Sequence, residues 1–162
     1  MGALEQRPMA LPRLASTATC PASPGVTSFG PGPVYVTGQS EWYSAGQAVV
    51  LSVDSSYSGP VLVRGSELGG GGLLGITLAD QSPTVTGNFA AKESSHSVTA
   101  VSAVHTADGG LELQADLGTP SSRAWLGVLS TDGPGCFGLQ VDGSTFTEIV
   151  VLLVRPGNPP PG

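Results

Sequence analysis

Across residues 33–154 the apolar residues come in short bursts, each ended by glycine, proline, serine or aspartate. "PVYVTG" (33–38), "QAVVLSV" (47–53), "PVLVRG" (60–65) and the apolar stretch 73–78 have the length and the valine and leucine content of strands. "VTAVSAVHTA" (98–107) alternates valine with small residues. Gly109 and Gly110 then lead into "LELQADL", where Leu111, Leu113, Ala115 and Leu117 share one face, a pattern that predicts a hairpin. "RAWLGVL" (123–129), "CFGLQVD" (136–142) and "TFTEIVVLLV" (145–154) close the series. Apolar residues do not recur at helical spacing. The pattern predicts an all-β fold, an antiparallel Ig-like β-sandwich of about seven to nine strands, with a closed barrel as the competing arrangement.

The two ends break this rhythm. Residues 1–32 carry the prolines and glycines of an extended or turning N-terminal arm, and the sandwich domain is expected over 33–155. The tail 156–162, "PGNPPPG", cannot donate ladder hydrogen bonds at its prolines and reads as a linker.

The two cysteines connect arm to domain. In "CFGLQVD", Phe137, Leu139 and Val141 point to one face of a strand, and Cys136, Gly138, Gln140 and Asp142 to the other. The large apolar set marks the core face, so Cys136 lies on the outer face beside a glycine, with room for a segment to cross it. The arm, with Cys20 before Pro21, is the available segment. A Cys20–Cys136 disulfide strapping it to the penultimate strand follows, together with an oxidising compartment. The alternative is two separate thiols in a cytosolic protein, and thiol titration of the unfolded, unreduced chain separates the two.

Composition narrows the function classes. Only 11% of the residues are charged, against about 25% in ordinary soluble domains, and the net charge is -6. The basic residues Arg7, Arg13, Arg64, Lys92, Arg123 and Arg155 are scattered along the chain, which argues against nucleic acid and anionic membrane surfaces as partners. No apolar run reaches the roughly 18 residues of a transmembrane helix. Arg7, Pro8, Pro12 and Arg13 interrupt the stretch that an export signal would need, and "TATC" (17–20) has a lipoprotein-like cysteine but an unsuitable preceding threonine.

"GCFGLQVDGSTFTEIVVLLV" (135–154) is similar to the C-terminal signature of an uncharacterised group of bacterial extracytoplasmic proteins. Gly135, Cys136, Phe137, Gln140, Val141, Asp142, Gly143, Phe146 and Thr147 carry the likeness, and Cys20 with Pro21 and "VLVRGSEL" (61–68) resemble upstream features of the group. The resemblance implies a small secreted or lipid-anchored β-sandwich of the cell envelope and implies no activity.

Candidate chemistry is sparse. His96 and His105 have no evident partner in sequence, and no G-x-S-x-G elbow is present. Asp54, Asp80, Asp108, Asp132 and Asp142 sit at strand ends or turns, where aspartate caps backbone amides. A calcium cluster among them lacks a D-x-D-x-D loop, and no cofactor or metal site is expected. Gly69, Gly70, Gly71 and Gly72 are not followed by Gly-Lys-Ser/Thr, so they are read as a close backbone approach rather than a phosphate loop. Trp42 and Tyr43 fall in a polar connection and are the candidate ligand-binding pair, as stacking platforms for a glycan, against the alternative that Trp42 plugs the core. Which face of its strand carries Trp125 inward is open. Glu148 interrupts the last apolar strand and is expected near solvent, with burial against Arg123 or Arg64 as the lesser option.

The expectation is a non-enzymatic extracytoplasmic binding or structural module, its partner a protein or glycan at the cell surface. The alternatives are a carbohydrate-binding accessory domain using Trp42 and Tyr43, and a hydrolase whose site is hidden by spacing.

Overall fold

A computed structural model of the protein describes residues 2–15, 17–24, 28–38, 41–78, 99–100, 103–105, 111–113 and 123–161. Within them the chain is nearly all β. One helical turn, α1 (Gly2–Glu5), precedes twelve strands. These are β1 (Ser28–Phe29), β2 (Val34–Thr37), β3 (Trp42–Tyr43), β4 (Gln47–Val53), β5 (Val61–Glu67), β6 (Leu74–Leu78), β7 (Thr99–Ala100), β8 (Ala103–His105), β9 (Leu111–Leu113), β10 (Arg123–Thr131), β11 (Gly135–Gly143) and β12 (Thr147–Arg155).

They form a two-sheet sandwich. One sheet runs β1-β2-β4-β10-β6, with β7 beside β10, and the other runs β3-β12-β11-β5-β9-β8. Neighbours are antiparallel except β7 beside β10 and β3 beside β12. Every strand expected from the apolar bursts is present among the described residues. The total exceeds seven to nine for two reasons. The 98–107 burst yields two short pieces, β7 and β8, and two-residue strands form where the sequence suggests arm (β1) and connection (β3). β8 and β9 pair antiparallel, with His105 opposite Leu111, the pairing expected of a hairpin there. Ala115 and Leu117 lie outside the described residues.

Alternation fills the space between the sheets. Phe137, Leu139 and Val141 of β11 and Val150, Leu152 and Val154 of β12 meet Val34, Val36, Val49, Leu51 and Val53 of the opposite sheet, all of them buried. Trp125 and Leu129 also point inward, which settles the face left open by the sequence. The register places Trp125 opposite Leu51 of β4.

The arm forms a third layer, on the outer face of the second sheet. Leu4 packs with α1 against β5, and Leu4, Leu62 and Leu68 are buried outside the inter-sheet core. Leu14 donates its N–H to the Leu68 carbonyl at 2.8 Å, and Leu68 donates to the Cys136 carbonyl at 2.8 Å. Further on, Ser23 exchanges two hydrogen bonds with the Val151 backbone, through its own N–H and its Oγ. Extended backbone on a sheet leaves amides and carbonyls that must find partners, and here sheet and arm satisfy each other. The tail begins fastened rather than loose: Ala45 donates to the Gly157 carbonyl, and the Gly157 amide donates to Ser44 Oγ.

Candidate functional site

The disulfide is formed. Cys20 and Cys136 are joined, with 5.5 Å between their Cα atoms and a separation of 116 positions in sequence. Cys136 lies on the outer face of β11, as its parity demands. Two residues on, Gly138 shows why that face can accept a strap. A Cβ there would sit 2.7 Å from Leu68 Cδ2 and 2.9 Å from Leu11 Cδ2, closer than packed carbons approach.

Under the strap lies a buried polar cluster. Asp142 is fully buried and accepts from Arg64 Nη2 at 2.7 Å, Gln140 Nε2 at 2.9 Å and Thr147 Oγ1 at 2.7 Å. Its expected role as a turn cap is thus replaced by an ion pair. Burial alone would raise its pKa, but the bonds from Thr147, Arg64 and Gln140 outweigh it and hold the carboxyl below its usual 3.8. The cluster also reads the arm backbone. Gln140 Oε1 accepts from the Ala10 N–H at 2.6 Å, Gln140 Nε2 donates to the Pro8 carbonyl, and Arg64 Nη1 donates to the Arg7 carbonyl. Arg7 in turn donates to the carbonyls of Ser144 and Phe146 and to Thr147 Oγ1, fixing the β11–β12 turn.

Glu148 corrects the sequence expectation. It is only 6% exposed and faces the core from the start of β12, not solvent. Neither arginine is its partner. Oε1 accepts the N–H of Val34, the first residue of β2 in the opposite sheet, at 3.1 Å. Arg64 is committed to Asp142, and Arg123 donates to the carbonyls of Tyr57 and Gly59. Burial pushes the Glu148 carboxyl up from 4.5 to about 7, against the opposing pull of the backbone amides of Val34 and Gly32. Among the described residues its Oε2 has no hydrogen-bond partner.

Trp42 and Tyr43 form β3, which pairs in parallel with the end of β12. Trp42 is 3% exposed, and its ring meets Phe29 edge-on at 5.5 Å. It therefore offers no open stacking face and serves the core. Tyr43 is half-buried and donates to Glu41 Oε2 at 2.7 Å, and that bond, with burial and the Glu41 charge, raises its pKa. Arg155 pairs with Glu41 at 3.0 Å in the open. A hollow of about 220 Å³ beside them is walled by Phe29, Trp42, Leu153, Glu41 and Arg155.

A larger cleft, of about 550 Å³, opens at the far end of the sandwich, where the connections after β1, β4 and β11 converge. Tyr35, Tyr57 and Phe146 give it aromatic walls, and Asp54, Ser56 and Thr145 contribute polar groups. Asp54 holds the Ser56 amide at 2.8 Å, the turn-capping role expected of it. Sequence reasoning passed over these aromatics because each stands alone in the sequence, Tyr35 within β2 and Tyr57 and Phe146 in separate turns, and only folding gathers them.

The remaining candidates lie elsewhere. Asp132 accepts the Leu73 amide and Glu67 the Gly72 amide, so the glycine run is a close backbone approach between carboxylates. His96, Asp80 and Asp108 lie outside the described residues, and His105 ends β8. Among the described residues no group of three His, Cys, Asp or Glu side chains is arranged to hold a metal ion. Nor, among them, is any helix long and apolar enough to cross a membrane.

No protein-family model, curated protein or solved structure matches the chain.

Proposed function

We propose that this protein is a non-enzymatic extracytoplasmic binding or structural module, acting at the cell surface or in the envelope. The observation that carries the reading is the Cys20–Cys136 bridge. Cytosolic thiols are held reduced, whereas secreted and envelope domains keep such bonds. The low charge and the similarity of residues 135–154 to extracytoplasmic β-sandwiches point the same way.

The experiment is compartment-resolved thiol trapping. Cells producing the protein are quenched with a maleimide before lysis and fractionated. Recovery outside the cytoplasm with both cysteines unmodified supports the proposal. Recovery in the cytosol with both cysteines alkylated overturns it.

A second reading, a carbohydrate-binding accessory domain, draws support from the three rings of the loop-end cleft. With Trp42 closed inside the core, that platform lies at Tyr35, Tyr57 and Phe146 rather than at Trp42 and Tyr43.

A further inference from the structure

We propose that Glu148 is a pH-operated latch, which with its proton holds the 30–33 turn down as one wall of the loop-end cleft and without it lets the turn lift, so that water reaches the carboxylate.

Glu148 belongs to one sheet and bonds the other. Its Oε1 takes the Val34 N–H, and Val34 opens β2 directly after a turn that supplies Pro31, Gly32 and Pro33 to the cleft. Oε2 is buried with no hydrogen-bond partner among the described residues. The turn packs over this end of Glu148 through glycine. Gly30 and Gly32 hold φ of +121° and +87°, a region that side chains rarely adopt, and a Cβ on Gly30 would lie 3.9 Å from Oε2 and 2.9 Å from the Val34 carbonyl oxygen. A neutral carboxyl group tolerates that enclosure. An ionised one has two oxygens to satisfy and finds donors for one, so its charge favours an opening that admits water.

The turn is also the wall least braced. Arg123 holds the 54–60 connection, donating to the carbonyls of Tyr57 and Gly59 at 2.8 and 3.0 Å. Arg7 holds the 144–146 connection, donating to the carbonyls of Ser144 and Phe146 at 3.1 and 3.0 Å. Those two walls are joined as well, since Tyr57 Oη accepts the Ser144 amide at 2.8 Å. The turn has Glu148 and one backbone bond, from the Asp54 amide to the Pro33 carbonyl at 2.8 Å. Behind it β1 is an edge strand that pairs with β2 only through Ser28↔Thr37 and Phe29↔Val36. Short edge pairings open locally before a core does. Tyr35 rests its ring end against Gly32, so the cleft changes shape when the turn moves.

The surroundings of the carboxyl are apolar. Phe146 and Val150 share its face of β12, Val141 is its partner on β11, and Val34 and Val53 stand in the opposite sheet. The nearest charged and titratable side chains are turned to other partners. Arg7, Arg64 and Asp142 meet on the outer face of the second sheet, Arg123 lies against the Tyr57 ring, the Tyr57 hydroxyl bonds Pro60, and Asp54 takes the Ser56 amide. His105 is at the opposite edge of the sheet, in β8.

The direction of the switch follows. In the closed form burial raises the carboxyl from 4.5 to about 7, and lifting the turn returns it toward 4.5. The closed form is favoured in full below pH 4.5, loses ground between 4.5 and 7, and loses no more above 7. Between pH 5 and 8 the ratio of open to closed rises by up to about 70-fold.

Native-state amide exchange on the intact, disulfide-bonded chain tests this, read by NMR at pH 5 and 8 in 0 to about 1 M urea. The Gly32 and Val34 amides are expected to exchange by an opening that urea does not promote, and to lose up to about 70-fold in protection from pH 5 to 8. The Leu139 and Val150 amides, deep in the strands, are expected to follow urea. Glu148→Gln keeps an acceptor for Val34 and is expected to abolish the pH effect at the turn. In the wild type the Tyr35 and Thr145 resonances are expected to move with a midpoint near pH 7, the value for the buried carboxyl.

The latch is overturned if the turn amides keep their protection at pH 8, if they share the urea slope of the strand amides, or if Glu148→Gln loses protection as the wild type does. Cleft resonances that stay still while the turn opens overturn the coupling to the cleft. Each comparison within the wild type stands without the variant, and none depends on the compartment in which the protein works.

Discussion

Arg64 and Asp142 pair at 2.7 Å on the outer face of the second sheet, where both side chains would ordinarily meet water, yet both are buried. The N-terminal arm covers them, and Arg64 and Gln140 bond the backbone of the segment that shuts the pair in. Burial of the charges and docking of the arm are thus one event.

Removing one partner should therefore be severe. Asp142→Ala leaves the Arg64 guanidinium buried without its carboxylate, and the expected loss is about 3–5 kcal/mol. Urea denaturation measures it. The pH dependence has a definite sign. The folded pKa of Asp142 lies below its ordinary 3.8, so its contribution is present above that value and fades as the pH falls through the lower, folded one. Asp142→Asn should flatten that acid limb, and an unchanged limb would count against the cluster.

Glu148 predicts the opposite slope. Its folded pKa, about 7, lies above 4.5, so the folded state holds the proton more tightly than the unfolded chain. The stability it contributes is complete below pH 4.5 and is lost between pH 4.5 and 7, by up to about 3 kcal/mol. Glu148→Gln keeps an acceptor for the Val34 amide and removes the titration. Melting temperatures across pH 4 to 8 should fall less steeply for this variant, which should be the more stable form at pH 8.

The disulfide closes a segment of 116 residues. The chain-entropy relation gives a stabilisation near 5 kcal/mol as an upper figure, comparable to the whole stability of a small domain. The Cys20→Ser, Cys136→Ser double variant should shift the denaturation midpoint strongly. Thiol titration of the unfolded, unreduced wild type should find no free thiol, and two would refute the bridge.

Gly138 is expected to be the seat on which the arm packs. A valine there would collide with Leu11 and Leu68, the two side chains that seal the strap, at a cost of about 1–3 kcal/mol. Limited trypsin digestion reports it directly. Cleavage after the exposed Arg13 should quicken in Gly138→Val, while the core strands stay protected.

Trp42 should behave as a core residue. Trp42→Ala is expected to lower stability by about 3–5 kcal/mol, which denaturant titration would reveal. A loss of binding in that variant would say little about a ligand, and Tyr43→Ala is the cleaner probe of the same surface.

Much of the second sheet was legible in the residues. The alternation in "CFGLQVD" by itself puts Cys136 and Gly138 on the outer face, and from that follow the strap and its partner cysteine. The same alternation put Gln140 and Asp142 on the outer face, where they are, but could not show what covers them. An outward parity ordinarily means solvent, and what covers an outer face depends on a segment more than a hundred residues away. Glu148 failed for a related reason. Its inward parity was plain, but a carboxylate facing a core is expected to find water or an arginine. The partner it found, a backbone amide at the start of a strand in the opposite sheet, leaves no mark in sequence.

By itself the sequence determined the class of fold, the positions of the longer strands and the one disulfide that the two cysteines could form. Those follow from local rules, namely the period of two along a strand and the turn residues that end it, and from there being two cysteines to pair. Only the tertiary structure decided that Arg7 would brace one wall of the loop-end cleft and Arg123 the other, that Trp42 would close inward, and that Tyr35, Tyr57 and Phe146 would meet. Those residues come from the arm, from separate strands and from separate turns, and what brings them together is the register of two sheets and the path of the strap, which no single stretch of chain encodes.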